Sequence, residues 1–418
     1  MRAATDNANL RPWLVHALAW PLGLVLLTLL LARVPGAEHL APDYLQFWSA
    51  SSILAEGGNP YAPHLQAEQA AAQGWDLHQH GLGRYAFLPY YYPPWMGLAL
   101  VPLLALGYAT ANLVWLALLI EAVVASAYLL RNRVSGVSCG TAMLAVGGFG
   151  VWWVTLLFGQ TAPLVVLFAA AAWRLAEAGR DRSAGWALAC LSIKPQLALP
   201  VMLFVLVWAM RQERWRIVEG CTTVVVTFFA VSTIIFPGWF KAMLDAPNVT
   251  PLVTVDAPWL GASWHSLLRT LGLSGSPLAA LYLALVVPTV WTLARQAWDR
   301  RTSLFALIST AMLSVFVLAP YTRYYDLPIL VFPLLELLGR PLPWRLRTWL
   351  PVACTLIPLA IWRTWPIDPP VWVAQGQWLW LVVALVALRF CTRRVENTSR
   401  REPDVAIPKR FREAAPGL

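Results

Sequence analysis

Asp43 follows Pro42 and precedes Tyr44-Leu45-Gln46-Phe47-Trp48, so one carboxylate stands against aromatic rings and an amide. Such a carboxylate can cap the helix that begins there. It can also deprotonate a hydroxyl, and Phe47 and Trp48 suit the apolar face of a sugar. Lys194-Pro195-Gln196 interrupts the apolar run Ala187–Met210. A lysine at that depth is costly and marks function, here contact with an anionic group. The plainer reading is a side chain that snorkels to the membrane surface. Tyr90-Tyr91-Tyr92-Pro93-Pro94-Trp95 reads either as an interface anchor or as a cavity wall. Gln160, after Phe158-Gly159, can satisfy helix-end groups or face a substrate. Ser263-Trp264-His265 and Tyr321-Thr322-Arg323-Tyr324-Tyr325-Asp326 supply a histidine and an arginine, a pairing that binds phosphate. For Arg323 the local alternative is an ion pair with Asp326. Glu121 and Glu336 lie in or beside apolar runs and read as packing or interface charges.

These residues need a scaffold, and composition names it. The chain has 418 residues, 59% hydrophobic and 12% charged, about half the charge fraction of a soluble protein. Apolar runs such as Pro21–Leu31, Ala142–Phe158 and Leu278–Leu293 approach the roughly 20 residues that span a bilayer core. Many of the 24 Trp residues sit at run ends, as membrane-interface rings do. Lys and Arg cluster in the short gaps between runs, so the net charge of +10 follows the positive-inside pattern and does not indicate nucleic acid. The five cysteines show neither CxxC nor Cys/His spacing. No close acidic cluster suggests a divalent ion, and no cofactor or metal is expected. The charge pattern predicts about 12 crossings, cytoplasmic termini and outer loops near 33–107 and 237–277. Pro94–Leu106 would then re-enter without spanning. Tyr44–Ala55 would form an interfacial helix with Leu45, Trp48, Ser52 and Ala55 on one face. Residues 1–390 form one transmembrane domain, and 391–418 a polar, disordered cytoplasmic tail.

The pattern resembles the bacterial polyprenyl-phosphate-sugar-dependent glycosyltransferases of family 87, which include mannosyltransferases. The stretches that carry it are Asp43…Phe47-Trp48…Gly58-Asn59-Pro60-Tyr61, Tyr92-Pro93-Pro94, Gly159-Gln160, Ile193-Lys194-Pro195-Gln196, Ser263-Trp264-His265 and Tyr325-Asp326-Leu327. The resemblance implies the C-type (GT-C) fold, an all-helical membrane bundle with its active site at the outer surface. It also implies Asp43 as the catalytic residue and Lys194, His265 and Arg323 around the lipid phosphate. Phe47, Trp48, Tyr61, Tyr92, Gln160, Gln196, Trp264, Tyr325 and Asp326 would line the substrate cavity. The implied activity is inverting transfer of a hexose, mannose above others, from a polyprenyl-phosphate donor to a lipid or glycan acceptor. It would take place on the periplasmic side of a bacterial inner membrane, with membrane lipids as the other partners. A lipid-linked-sugar flippase or small-molecule transporter is the rival, since broken helices also suit transport. The absence of repeated halves argues against it.

Overall fold

The computed structural model of the chain describes residues 6–37, 40–75, 87–131, 149–251 and 257–340, with scattered positions between 146 and 387. Glu38, Asp76, Arg84 and the expected tail 391–418 lie outside the described residues. The apolar runs become helices, because in a medium without water each backbone group must find a partner within its own segment. In order these are α1 (Asp6–Leu31), α2 (Tyr44–Ala55), α3 (Pro63–Ala72), α4 (Pro94–Leu100), α5 (Tyr108–Leu130), α6 (Val151–Phe158), α7 (Ala162–Glu177) and α8 (Asp181–Cys190). Then come α9 (Pro195–Arg211), α10 (Trp215–Ile235), α11 (Trp239–Val249), α12 (Trp264–Thr270), α13 (Gly275–Trp298), α14 (Leu304–Leu318) and α15 (Val331–Leu338).

Among the described residues α5, α10 and α13 are long and apolar enough to cross a membrane. The 23 residues of α5 extend about 35 Å. A fourth crossing results if α6 and α7, bent by 119° at their junction, count together. The remaining crossings of the expected 12 would have to come from shorter apolar helices such as α9 and α14, and from 341–390, which lie largely outside the described residues. Residues 94–106 form one short α-helix and a 3₁₀ turn, shorter than a span.

Helix pairs that turn back at short apexes shape one end of the bundle. The turn from α6 into α7 is made by Gly159 in the left-handed region (φ 72°), and Pro163 opens α7. A Cβ on Gly159 would stand 2.6 Å from the Cβ of Ala41, so glycine also permits the loop before α2 to lie against this turn. The turn from α8 into α9 is set by Pro195, which pushes the residue before it out of helical geometry. Lys194 accordingly has φ −132° and ψ 80°. At the opposite end Arg214, just past α9, donates to Asp181 at the start of α8 (Nε–Oδ2 3.1 Å). Both helices therefore begin and finish at one face, and Lys194 is their apex. The central helix, α14, buries 12 of its 15 residues and ends at Ala319-Pro320, at the same end as Lys194.

One expectation is corrected. α2 does not lie on an interface with one apolar face, since 10 of its 12 residues are buried. Rings from distant segments pack over the helix: Tyr90 and Tyr92 on Phe47, Tyr108 on Trp48, and Trp115 on Tyr44. The single proton of its polar Ser51 has two carbonyl acceptors within reach, Phe47 O (2.7 Å) and Gly97 O (2.8 Å).

Candidate active site

The backbone that carries Asp43 is pinned before its side chain is considered. Ala41 N–H donates to Leu157 O (2.8 Å) and Asp43 N–H to Phe158 O (3.1 Å), so the loop satisfies free carbonyls at the end of α6. Ala41 itself has φ 58°, an unusual conformation for alanine held by those contacts. Asp43 occupies the N-cap position of α2, yet its carboxylate makes no capping bond. It accepts instead from Gln160 Nε2, 117 residues away. The capping reading of Asp43 therefore fails on geometry. Burial pushes the Asp43 carboxyl up to about 6, against the Gln160 hydrogen bond and the charges of Arg323 and Lys194.

Gln160 is buried, and its orientation is dictated by donors. Its Oε1 accepts from Tyr92 Oη (3.0 Å) and from Lys194 Nζ (3.2 Å). The amide nitrogen is thus left for Asp43. Lys194 is 1% exposed, which excludes snorkelling, and its Nζ lies 2.6 Å from Asp326 Oδ1. It also sits 4.9 Å from the Tyr325 ring centre. The other Asp326 oxygen accepts from the main-chain N–H of Arg323 (2.9 Å). The local ion pair between the Arg323 side chain and Asp326 is therefore absent. The Arg323 guanidinium lies over the rings of Tyr324 and Tyr325, 5.4 and 5.5 Å from their centres. Among the described residues its Nε is buried without a hydrogen-bond partner, and no carboxylate stands within ion-pair distance of it.

The aromatic candidates support this chain from behind. Tyr61 donates to Tyr92 O (2.8 Å), and Phe47 meets Tyr92 edge-on at 4.9 Å. Trp48 packs on Tyr108 and is almost fully buried. Phe47, Trp48, Tyr61 and Tyr92 are thus internal, and Tyr92 reaches the site through its hydroxyl. Gln196 is half-buried in the first turn of α9. The Ser263-Trp264-His265 segment is tied to the 320–323 turn by the preceding Ala262 N–H, which donates to Thr322 O (2.7 Å), and by Ser263 Oγ, which donates to Pro320 O (2.8 Å). Its two ring side chains point elsewhere. His265 packs against Tyr282 on α13 at 5.1 Å, and Trp264 against Trp378 at 6.0 Å. Partial burial, then the charge of Arg269, holds the His265 imidazole below its usual range. His265 is not joined to the Asp43–Gln160–Lys194–Asp326 chain. Sequence reasoning did not see that Lys194 and Asp326 neutralise each other across 132 residues. The available signal was that a lysine within an apolar run needs a counter-ion.

The helices and the apolar stretches among the described residues define a membrane protein, and the polar chain collected at helix apexes is a candidate site at one end of its bundle. The chain belongs to Glycosyltransferase family 87, which matches residues 90–320, and it is a membrane glycosyltransferase. The matched stretch contains Tyr92, Gln160, Lys194, Gln196, Trp264 and His265. Asp43, Phe47, Trp48 and Tyr61 precede it, and Arg323, Tyr325 and Asp326 follow it. No curated protein and no solved structure matches the chain.

Proposed function

We propose that the chain is an inverting hexosyltransferase of GT-C architecture, with about 12 crossings. It moves a hexose, read here as mannose, from a polyprenyl-phosphate donor to a lipid or glycan acceptor at the periplasmic face of a bacterial inner membrane. The observation that carries this reading is the half-buried Asp43 carboxyl, oriented by Gln160, with the Arg323 charge acting on it from beyond ion-pair distance. A base that titrates near 6 is ionised at neutral pH yet basic enough to accept a proton in the transition state.

Asp43 takes the proton of the acceptor hydroxyl as the acceptor oxygen attacks the anomeric carbon. The bond from that carbon to the phosphate oxygen breaks, and the lipid phosphate leaves with the electron pair. Arg323 stabilises the departing charge. Lys194, assigned to the phosphate on sequence grounds, is already neutralised by Asp326, so its part is to hold Gln160 and Asp326 in place. His265 packs against Tyr282 and is given no part in stabilising the reacting phosphate.

The test is transfer of labelled sugar in membranes containing the protein, with polyprenyl-phosphate mannose, polyprenyl-phosphate glucose and a nucleotide sugar offered separately. Label should move from polyprenyl-phosphate mannose into the lipid or glycan fraction, above control membranes. Transfer from the nucleotide sugar alone would overturn the donor class.

A further inference from the structure

Gln160 was expected to line the substrate cavity, and its surroundings describe a different role. All three of its polar contacts are internal. Two donors of fixed character, the Tyr92 hydroxyl and the Lys194 ammonium, claim Oε1 at 3.0 and 3.2 Å. An amide so held can present only N–H to its third neighbour, the Asp43 carboxylate. Lys194 is in turn fixed by Asp326, and Asp326 by the main chain of Arg323. The position of Asp43 is therefore referred, through one amide, to a buried ion pair on the far side of the site. We propose that Gln160 is a positioning residue, which transmits the geometry of the Lys194–Asp326 pair to Asp43 and does not touch substrate. The proposal rests on the reading of Asp43 as the base.

The backbone supports the same conclusion. Gln160 N–H donates to Thr155 O (3.0 Å), and Trp115 Nε1 donates to Gly159 O (2.8 Å), so the apex cannot swing to follow a ligand. Gln160 itself is 1% exposed, which leaves it no surface for a sugar.

The charged and titratable groups around Asp43 come from four segments. Arg323 and Lys194 favour its ionised form. Tyr108, at the start of α5, faces it, as do Tyr92, Tyr324 and Tyr325. Burial first, and the Asp43 charge among the lesser causes, makes the last three harder to ionise. They stay neutral at working pH, so loss of the Gln160 donor is not masked by another titration. Removing an N–H that donates to a carboxylate destabilises its ionised form and raises its pKa.

Gln160→Leu removes the amide. Gln160→Met also removes the amide but keeps the length of the side chain, so it guards against a general folding defect. The readout is modification of Asp43 by dicyclohexylcarbodiimide, to whose central carbon a protonated carboxyl adds through oxygen while its proton passes to nitrogen. It is followed by peptide mass spectrometry across pH on the full chain, with Asp43→Asn as the unlabelled control. Labelling of the parent should fall with a midpoint near pH 6. Both variants should move that midpoint up by about one pH unit or more, a tenfold change in ionisation. In the transfer assay the acid limb of kcat should move up with the midpoint, a loss of about twofold at pH 7 and about tenfold at pH 5 for a shift of one unit, with KM for polyprenyl-phosphate mannose nearly constant. An unmoved midpoint in both variants, or no labelling of the parent at acid pH, overturns the proposal. A loss confined to KM with an unmoved midpoint makes Gln160 a substrate contact. The labelling needs no turnover, so a parent that transfers nothing from the polyprenyl-phosphate sugars refutes the proposed donor and leaves this proposal to its own result.

Discussion

The two ends of the bundle carry ion pairs of similar length in opposite surroundings. At the basic end Arg182 meets Glu219 at 2.8 Å and Arg300 meets Glu213 at 2.6 Å, with all four side chains more than half exposed. At the other end Lys194 meets Asp326 at 2.6 Å with exposures of 1% and 0%. Distance does not separate the two cases, but solvent does. Exposed pairs are screened and contribute about 0–1 kcal/mol. A buried pair has already lost its hydration, so removing one partner strands a charge at a cost of about 3–5 kcal/mol. The basic end needs only to stay in water, and its helix ends are tied loosely by Arg214, Gln212 and Arg211 to nearby carbonyls and Asp181. The other end keeps its charges inside, where they can hold a reacting group without water rearranging around it.

Lys194→Met is the substitution that should break this contrast most strongly. It should lower stability by about 3–5 kcal/mol in reversible detergent unfolding, because Asp326 is left buried with one backbone partner. Lys194→Met with Asp326→Leu should recover much of that loss, and a double variant no better than the single one would refute the pairing. Next in size is Arg323→Met. Loss of one charged hydrogen-bonding group should weaken binding of polyprenyl phosphate by about 1.5–3 kcal/mol, or roughly 10–150-fold in Kd, with the fold intact. An unchanged Kd would remove Arg323 from the phosphate site. The smallest effect belongs to the basic end. Arg182→Ala should change stability by no more than about 1 kcal/mol, and a loss as large as that of Lys194→Met would erase the distinction between the two ends.

Much of this layout was legible in the sequence because its causes are local. Pro195 forces Lys194 out of the helix, Gly159 permits the turn before Gln160, and the apolar runs dictate α5, α10 and α13. The partners were not legible, because they come from segments far apart in the chain. Leu45 and Trp48 mark a buried face of α2, but the rings that cover Tyr44, Phe47 and Trp48 come from residues 90, 92, 108 and 115. Asp326 has an arginine three residues before it and yet pairs with Lys194, since the tight turn at 323 presents a backbone N–H and not the guanidinium. His265 looked equivalent to Arg323 in sequence, but the short helix α12 turns it toward Tyr282. The capping rule places an acid at position 43, and the bond to Gln160 takes that acid out of capping.

The most direct test of the site is turnover of Asp43→Asn across pH, with parent and variant compared for labelled sugar transfer from polyprenyl-phosphate mannose. The parent should lose activity as pH falls through about 6, where the base becomes protonated. The same shift fixes the sign of the stability effect. The folded-state pKa lies above the ordinary value, so the folded chain gains stability as pH drops through about 6, and at pH 7.5 the buried charge is a cost. The Asp43→Asn variant should therefore unfold no more easily than the parent at pH 7.5, and any advantage should shrink toward pH 4. Its turnover at pH 7.5 should be lower by about 10²–10⁴-fold, with polyprenyl phosphate bound as tightly as before. A variant that is well folded and turns over within a few-fold of the parent would contradict the assignment of Asp43 as the base.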